Sequence, residues 1–387
     1  MLRNSDIIAL TQLRRLLHQH PEISGQEVET AARIAAELHA LGVDRVLTGL
    51  GGHGVAGVIE GASEGPTVLF RAELDALPIQ ELDGPDWIST VPGKGHLCGH
   101  DGHMVMLLGL GRVLMRDRPK CGRVVLMFQP AEEDGSGARA VVADPAFAEV
   151  SPDWAFAIHN EPGRSFGTVS ARAGLMNCAS QGLKVTLSGK TAHAADPEDG
   201  VSPAPALAEL IPGLTALGAG GALDEAFRLV TVTHVSMGAP TFGIAPGEAV
   251  IFATLRTGFD GPMADLSTVA RQLCEGVAAQ HGLKVGFEVE DDFAASINDP
   301  EATDIAERAM EALGIAHGDA DLPMRASEDF GVFGWSAKAA MLCLGPGEDH
   351  AALHNPDYDF PDDLIPIGVS IFEQIARDLL GSSQATK

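Results

Sequence analysis

Nine residues, Gly95-His96-Leu97-Cys98-Gly99-His100-Asp101-Gly102-His103, constrain this chain more than any other stretch, because they bring three imidazoles and one thiol together. Such a density points to a metal. Thiolate and neutral imidazole bind Zn²⁺ and its neighbours in the series, and an aspartate beside a ligating histidine can orient the ring. A glycine-rich turn with incidental histidines, or an isolated reactive cysteine, would show the same letters. No second Cys/His cluster lies nearby to close a structural zinc site locally. The remaining ligands therefore have to arrive from distant segments, which requires a fold that assembles them.

At 387 residues the chain is long for a single hydrophobic core, and two domains are expected. A formal charge of -27 repels phosphate backbones and anionic lipid, so no nucleic acid and no membrane is expected as partner, and a small molecule is. The opening MLRNSDIIALTQLRRLLHQHPE shows helical spacing interrupted by charge rather than an unbroken apolar run, and no later stretch is long enough to span a bilayer. Five scattered cysteines fit a reducing compartment better than a disulfide framework, which makes the cytoplasm the expected location.

Residues 5–18 and 26–41 pattern as two amphipathic helices, the second closed by Gly42. Two β-rich runs follow at 55–60 and 67–71, and the second leads into Ala72-Glu73-Leu74-Asp75. Residues 103–116 are apolar nearly all round, as in a helix packed on a sheet. Buried strands at 123–128 and 154–158 deliver Glu132-Glu133 and His159 at their carboxyl ends. This alternation predicts an α/β domain with a mainly parallel sheet, whose functional groups gather beyond the carboxyl ends of its strands.

From Gly182 the texture changes. Strand 182–188, helix 202–217, strands 228–238 and 249–257, helix 262–281 and strand 284–291 give the βαββαβ order of a ferredoxin-like unit. Helix 299–313, strand 339–344 and a closing helix at 363–380 then resume the α/β style. The expected division is a discontinuous catalytic domain, 1–178 and 292–387, interrupted by an inserted domain at 179–291.

One glutamate of the Glu132-Glu133 pair can ligate a metal while its neighbour takes a proton from an attacking water. On an extended segment, adjacent side chains would point opposite ways. His354, in the loop GPGEDHAALHNPD, would supply a further neutral ligand. GLGGHG at 49–54 mimics a dinucleotide fingerprint, but it precedes a strand instead of following one.

The segments HLCGHDGH, FQPAEEDGSGA, AIHNEP, SEDF and LGPGEDHAALHNPDYDF resemble the binuclear metal-dependent aminoacylase and carboxypeptidase family, in its hippurate hydrolase, N-acyl-amino-acid and auxin-conjugate amidohydrolase branch. They run in the same order over nearly the whole chain. The resemblance implies a two-metal catalytic domain with a smaller inserted lid and dimerisation domain, and so a homodimer or a higher homo-oligomer. It implies Cys98, His100, Glu133, His159 and His354 as ligands of two divalent ions (Zn, Mn, Ni or Co), Glu132 as catalytic base and Asp75 as an orienting residue. His193, in GKTAHAA, is similar to the lid histidine that reaches the substrate carbonyl. The implied reaction cleaves the amide bond of small N-acetyl or N-aroyl amino acids, or related amides, to an acid and an amine, with metal-activated water as nucleophile. N-carbamoyl amino acids or aminoacyl amides are the alternative substrates on the same scaffold.

Three positions depart from the family's pattern. Glu73 stands where an aspartate is usual, Gly243 where an asparagine is, and Glu198 where a histidine is. The latter two fall where the substrate's carboxylate or leaving amine would sit, and with His193 and Arg256 they make up the candidate substrate contacts. A different-class reading is a cysteine-nucleophile hydrolase built on Cys98 with His100 or His159. It predicts activity that survives chelation and dies on thiol alkylation.

Overall fold

Continuous apolar runs without alternation belong in strands covered on both faces, and four of them form the centre of one sheet. In a computed structural model, which describes residues 1–82 and 84–382, Arg123–Gln129, Thr67–Glu73, Trp154–Asn160 and Lys338–Leu344 lie side by side in that order, all parallel. Thr67–Glu73 is buried throughout and the other three strands are buried after their first residue, as two-sided cover requires. Outside these four the pairing is mixed, with His317–Gly318 parallel to Val169–Ser170 at one edge. Gly54–Glu60 adds antiparallel to Arg123–Gln129, Arg45–Leu50 adds antiparallel to Gly54–Glu60, and Val169–Ser170 runs antiparallel to Lys338–Leu344. The sheet is therefore mixed, with the expected parallel order at its heart.

Arg45–Leu50 has no counterpart in the sequence-based expectation, because as a half-exposed edge strand it carries no continuous apolar signal. The helix His100–Arg116 packs against Asn4–Gln19, Ile365–Leu380 and the strand Thr67–Glu73, which explains why it is apolar nearly all round. It begins at His100, a turn earlier than periodicity indicated, so the metal candidates lie in its first turn and the loop before it. From Thr67–Glu73 the chain steps to one side for Arg123–Gln129 and then to the other for Trp154–Asn160. That reversal makes the carboxyl ends of these strands a topological switch point, where open α/β sheets bind ligands.

The elements so far belong to one compact unit, Met1–Met176, Ser296–Leu322 and the chain from Glu328 on. A second unit comprises Asn177–Ala295 with Pro323–Ser327. Its sheet has the order Arg228–Met237, Glu248–Thr257, Ala179–Ser188, Lys284–Phe293, antiparallel throughout. Helices Ala204–Thr215 and Asp260–Gln280 pack against these strands and against each other. This is the split βαβ arrangement of a ferredoxin-like unit, as the element order indicated. Where the chain passes between the units, Gly174–Asn177 and Ser296–Asn298 pair as a two-stranded sheet.

Candidate metal centre

Strand alternation sets the first part of the site. Arg71 and Glu73 share one face of Thr67–Glu73, and Asp75 follows two residues beyond. Asp75 is fully buried, and its Oδ2 accepts the Ser24 hydroxyl at 2.8 Å and the Glu133 backbone N–H at 3.0 Å. Its main-chain carbonyl lies 2.9 Å from His100 Nδ1. A carbonyl only accepts, so Nδ1 of His100 carries a proton and Nε2 is the nitrogen left to face a metal. That Nε2 is buried without a protein partner, 3.8 Å from Glu132 and 3.9 Å from Glu133. Glu133 Oε1 is buried and unpartnered as well.

His159 repeats the pattern. Its Nδ1 donates to the Asn160 carbonyl at 2.7 Å, and its Nε2 faces Cys98 Sγ at 3.5 Å. His354 Nε2, on a half-exposed side chain, lies 3.4 Å from Glu133 Oε2. Among five groupings of potential ligands in this region, two share the thiol, Cys98 with His100 and His159 and Cys98 with Glu133 and His354, each with its ligand atoms within 4.8 Å of one another. Fixing one imidazole nitrogen as a donor to a carbonyl while freeing the other is how proteins orient metal ligands. Buried and unpartnered His100 Nε2 and Glu133 Oε1, beside the Cys98 thiol, offer imidazole, carboxylate and thiol ligand atoms that suit a pair of divalent ions.

The Glu132-Glu133 pair corrects one expectation. The segment after Gln129 is a turn, not an extended run, and both carboxylates reach toward His100. Ala131, at its start, holds a left-handed backbone with φ of 49°, and His354 has φ of 65°, conformations unfavourable for residues with a Cβ. Two of the four non-glycine residues with positive φ among those described thus lie at this centre. The Ala131 turn is pinned by Glu27, whose carboxylate accepts the Ala131 N–H at 2.8 Å.

Electrostatics give the same result. Burial, then Glu328, Glu133 and Asp329, push the Glu132 carboxyl well above its usual range. Burial raises Glu133 to about 7 and holds the Cys98 thiol far above a free cysteine. Burial alone would lower His100, but the carboxylates of Glu73, Asp75 and Glu133 outweigh it and raise its pKa to about 10. The centre is crowded with acids and calls for positive charge, which cations bound there would supply. A nucleophilic cysteine needs an electropositive setting that lowers its pKa. Cys98 has the opposite surroundings, which disfavours a cysteine-nucleophile hydrolase.

The candidate substrate residues sit in the second unit. His193 is 72% exposed at its side chain and lies on the strand pair formed by Ala192–His193 and Ile244–Ala245, with Gly243 beside it, where the Gly243 carbonyl accepts the Ala194 N–H at 3.1 Å. His193 Nδ1 accepts the Ala195 N–H at 3.0 Å, which leaves the ring proton on Nε2, free to donate. Glu198 is exposed on the short 3₁₀ turn Pro197–Asp199. Arg256 donates to Ser327 Oγ at 2.7 Å and to the Arg325 carbonyl at 2.8 Å.

The model of peptidase family M20/M25/M40 matches residues 69–378. The chain belongs to that family. Two relatives of this M20 chain are an IAA-amino acid hydrolase ILR1-like 5 of Arabidopsis thaliana, 31% identical over 96% of this chain and 87% of its own, and an N-acetyl-L-cysteine deacetylase of Bacillus subtilis, 32% identical over 98% and 90%. The crystal structure of Bacillus subtilis YXEP protein, described as a dinuclear metal binding peptidase from the M20 family, is 27% identical, covers 98% of this chain and 99% of its own, and superposes with a TM-score of 0.80. This M20 chain is a metal-dependent enzyme that hydrolyses amide C–N bonds, and its centre takes two divalent ions. Among the described residues no helix is long and apolar enough to cross a membrane.

Several groups at the M20 site escaped sequence reasoning. Ser24 lies in HPEIS and Glu328 and Asp329 in SEDF, segments whose family likeness was legible without any role for these side chains. Arg71, fully buried, bridges them: Nη2 meets Glu328 at 2.8 Å and Asp329 at 2.7 Å, and Nε meets Gln129 at 2.9 Å. Of the three histidines in the opening stretch only His100 joins the two ligand sets. His96 is enclosed with both ring nitrogens unpartnered, and burial lowers its pKa to about 3, so it stays neutral.

Proposed function

We propose that this enzyme cleaves small N-acyl or N-aroyl amino acids, or closely related amides, in the cytoplasm, as a homodimer. The observation that carries the reading is the convergence of Cys98, His100, Glu133, His159 and His354 on two ligand sets that share the thiol. We assign these five as metal ligands and Asp75 as the residue that orients His100. When bound, the two ions supply a water acidified to near neutrality and polarise the amide carbonyl. Glu132, buried and within 3.8 Å of His100 Nε2, takes the proton of the attacking water on its carboxylate and passes it to the leaving amine.

The inserted segment 179–291 is assigned as the lid and dimerisation domain. His193 Nε2–H donates to the oxygen that gains charge as the carbonyl is attacked, and the bond from the Ala195 N–H to Nδ1 holds the tautomer this needs. With Glu198 and Gly243 in place of the usual groups, the lid recognises an amine part that is neutral or basic in preference to one gripped by its α-carboxylate. Arg256, oriented by Ser327, is assigned as a further substrate contact.

The deciding experiment measures amine release from N-acyl, N-aroyl and N-carbamoyl compounds, after chelation and after return of Mn²⁺, Zn²⁺, Co²⁺ or Ni²⁺. Metal-dependent turnover of N-acyl or N-aroyl compounds is expected. Turnover confined to N-carbamoyl compounds would move the assignment to that class, and high efficiency on hippurate would sink the role given to Glu198 and Gly243.

A further inference from the structure

We propose that Glu73, His103 and Asn160 form a positioning relay that locks the two segments carrying Cys98 and His159 to each other, and that the length of Glu73 is matched to this task. The proposal rests on the assignment of Cys98 and His159 as metal ligands. Of the two histidines of the opening stretch that this assignment leaves without a role, His96 and His103, only His103 has hydrogen-bond partners on its ring. It lies one turn beyond His100 on the same helix face, and it is 1% exposed.

Its Nδ1 lies 2.7 Å from Glu73 Oε2, and since an ionised carboxylate only accepts, Nδ1 donates. Its Nε2 takes the Asn160 backbone N–H at 3.1 Å and also lies 3.1 Å from Asn160 Oδ1. Asn160 Nδ2 in turn donates to the Cys98 carbonyl at 3.3 Å, while the Asn160 carbonyl receives the Nδ1–H of His159. The contacts therefore run from the end of one strand, through the first turn of the helix, to both a ligand-bearing strand end and the Cys98 loop. Glu73 and Asn160 are 0% exposed, so solvent has no access to replace a lost bond.

Space enforces the same arrangement. Gly99 has φ of 90°, and a Cβ there would lie 1.8 Å from Asn160 Oδ1. Any shift of Asn160 is thus felt at Gly99, next to Cys98. The other oxygen of Glu73 accepts from Arg71, which Glu328, Asp329 and Gln129 hold from their own sides. Glu73 spans two anchored partners. An aspartate would fall short by roughly one carbon–carbon bond, about 1.5 Å, and would have to release either Arg71 or His103. The glutamate that departs from the family's pattern is then not a loose substitution but the length this relay needs. The three are positioning residues, acting through the ligands they hold.

The test is metal affinity of the full-length protein, stripped with a chelator and titrated with Zn²⁺ or Mn²⁺ against a chromophoric competitor. Outer-shell partners of ligands are worth about 10–100-fold in affinity. Glu73→Asp and His103→Asn are each expected to weaken binding by roughly tenfold or more, and the double variant by no more than the worse single, since both break one chain of contacts. A folded Glu73→Asp protein that binds metal within about twofold of wild type would overturn the relay, as would fully additive losses. If either variant does not fold, Asn160→Ala carries the same expectation through the Cys98 carbonyl. Cys98→Ser is the control: metal affinity unchanged in that variant would show that the ligand assignment, rather than the relay, has failed.

Discussion

His18 and Asp101 meet inside the first unit at 2.9 Å, Nδ1 to Oδ2, both side chains wholly enclosed. His18 Nε2 lies 2.9 Å from Glu81, so each ring nitrogen faces a carboxylate and the ring is held as an imidazolium. Burial works against that charge, but Asp101 and Glu81 outweigh it and raise the pKa to about 10 from an ordinary 6.5. A raised pKa stabilises the fold fully below the unfolded value and loses that contribution as pH rises through the folded one. Between pH 6.5 and 10 the wild-type protein should therefore lose stability relative to His18→Gln, by at most about 1.4 kcal/mol per pH unit. Urea unfolding of both proteins at fixed metal saturation measures it. Parallel curves for the two across that window would rule the ion pair out as the source.

Cys98 belongs to both ligand sets, so its loss should empty the centre rather than disable a loaded one. Cys98→Ser is expected to lose bound metal, counted by atomic emission, together with turnover. An inactive variant that retains its full complement of metal would contradict this.

Glu132 and Glu133 sit at nearly equal distances from His100, 3.8 and 3.9 Å, and differ in their contact with His354, which Glu133 alone makes at 3.4 Å. Glu132→Gln should keep metal and lose about 10²–10⁴-fold in kcat, the usual cost of removing a general base. Glu133→Gln should lose metal. The reverse pattern would exchange the two roles.

His193 stands on the second unit, and the dimer assignment raises the question of whose site it serves. An inactive His193→Ala protein mixed with inactive Glu132→Gln under subunit exchange should regain a substantial fraction of activity if the histidine acts across the dimer. Heterodimers that form and stay inactive would confine it to its own chain.

The contact at Gly99 can be tested by itself. Gly99→Ala must accommodate a Cβ within 1.8 Å of Asn160 Oδ1 at a φ of 90°, and a loss of about 2 kcal/mol or more is expected in denaturant unfolding. A variant as stable as wild type would mean that Asn160 moves freely.

Much of this was legible in the residues. The parallel centre showed itself because strands covered on both faces need unbroken apolar runs, and the ferredoxin-like order showed itself through alternating periods. The edge strand Arg45–Leu50 stayed hidden because half-exposed pairing leaves no such signature. Among site residues, Cys98, His100 and His159 stood out by chemical type. The geometry of Glu132 and Glu133 did not, because the positive φ at Ala131 turns a strand end into a tight corner, and alanine gives no warning of it. The partners of His103 and Arg71 were equally invisible, since each is set by segments far apart in sequence.

The pairing of Gly174–Asn177 with Ser296–Asn298 bears on how such a gene is assembled. The larger segment of the second unit, 177–295, leaves and rejoins the first at neighbouring strands, while Pro323–Ser327 is contributed separately. The larger sheet's strands and the metal centre both lie outside 177–295, so recombination at this strand pair would exchange that segment while the hydrolytic machinery is inherited intact.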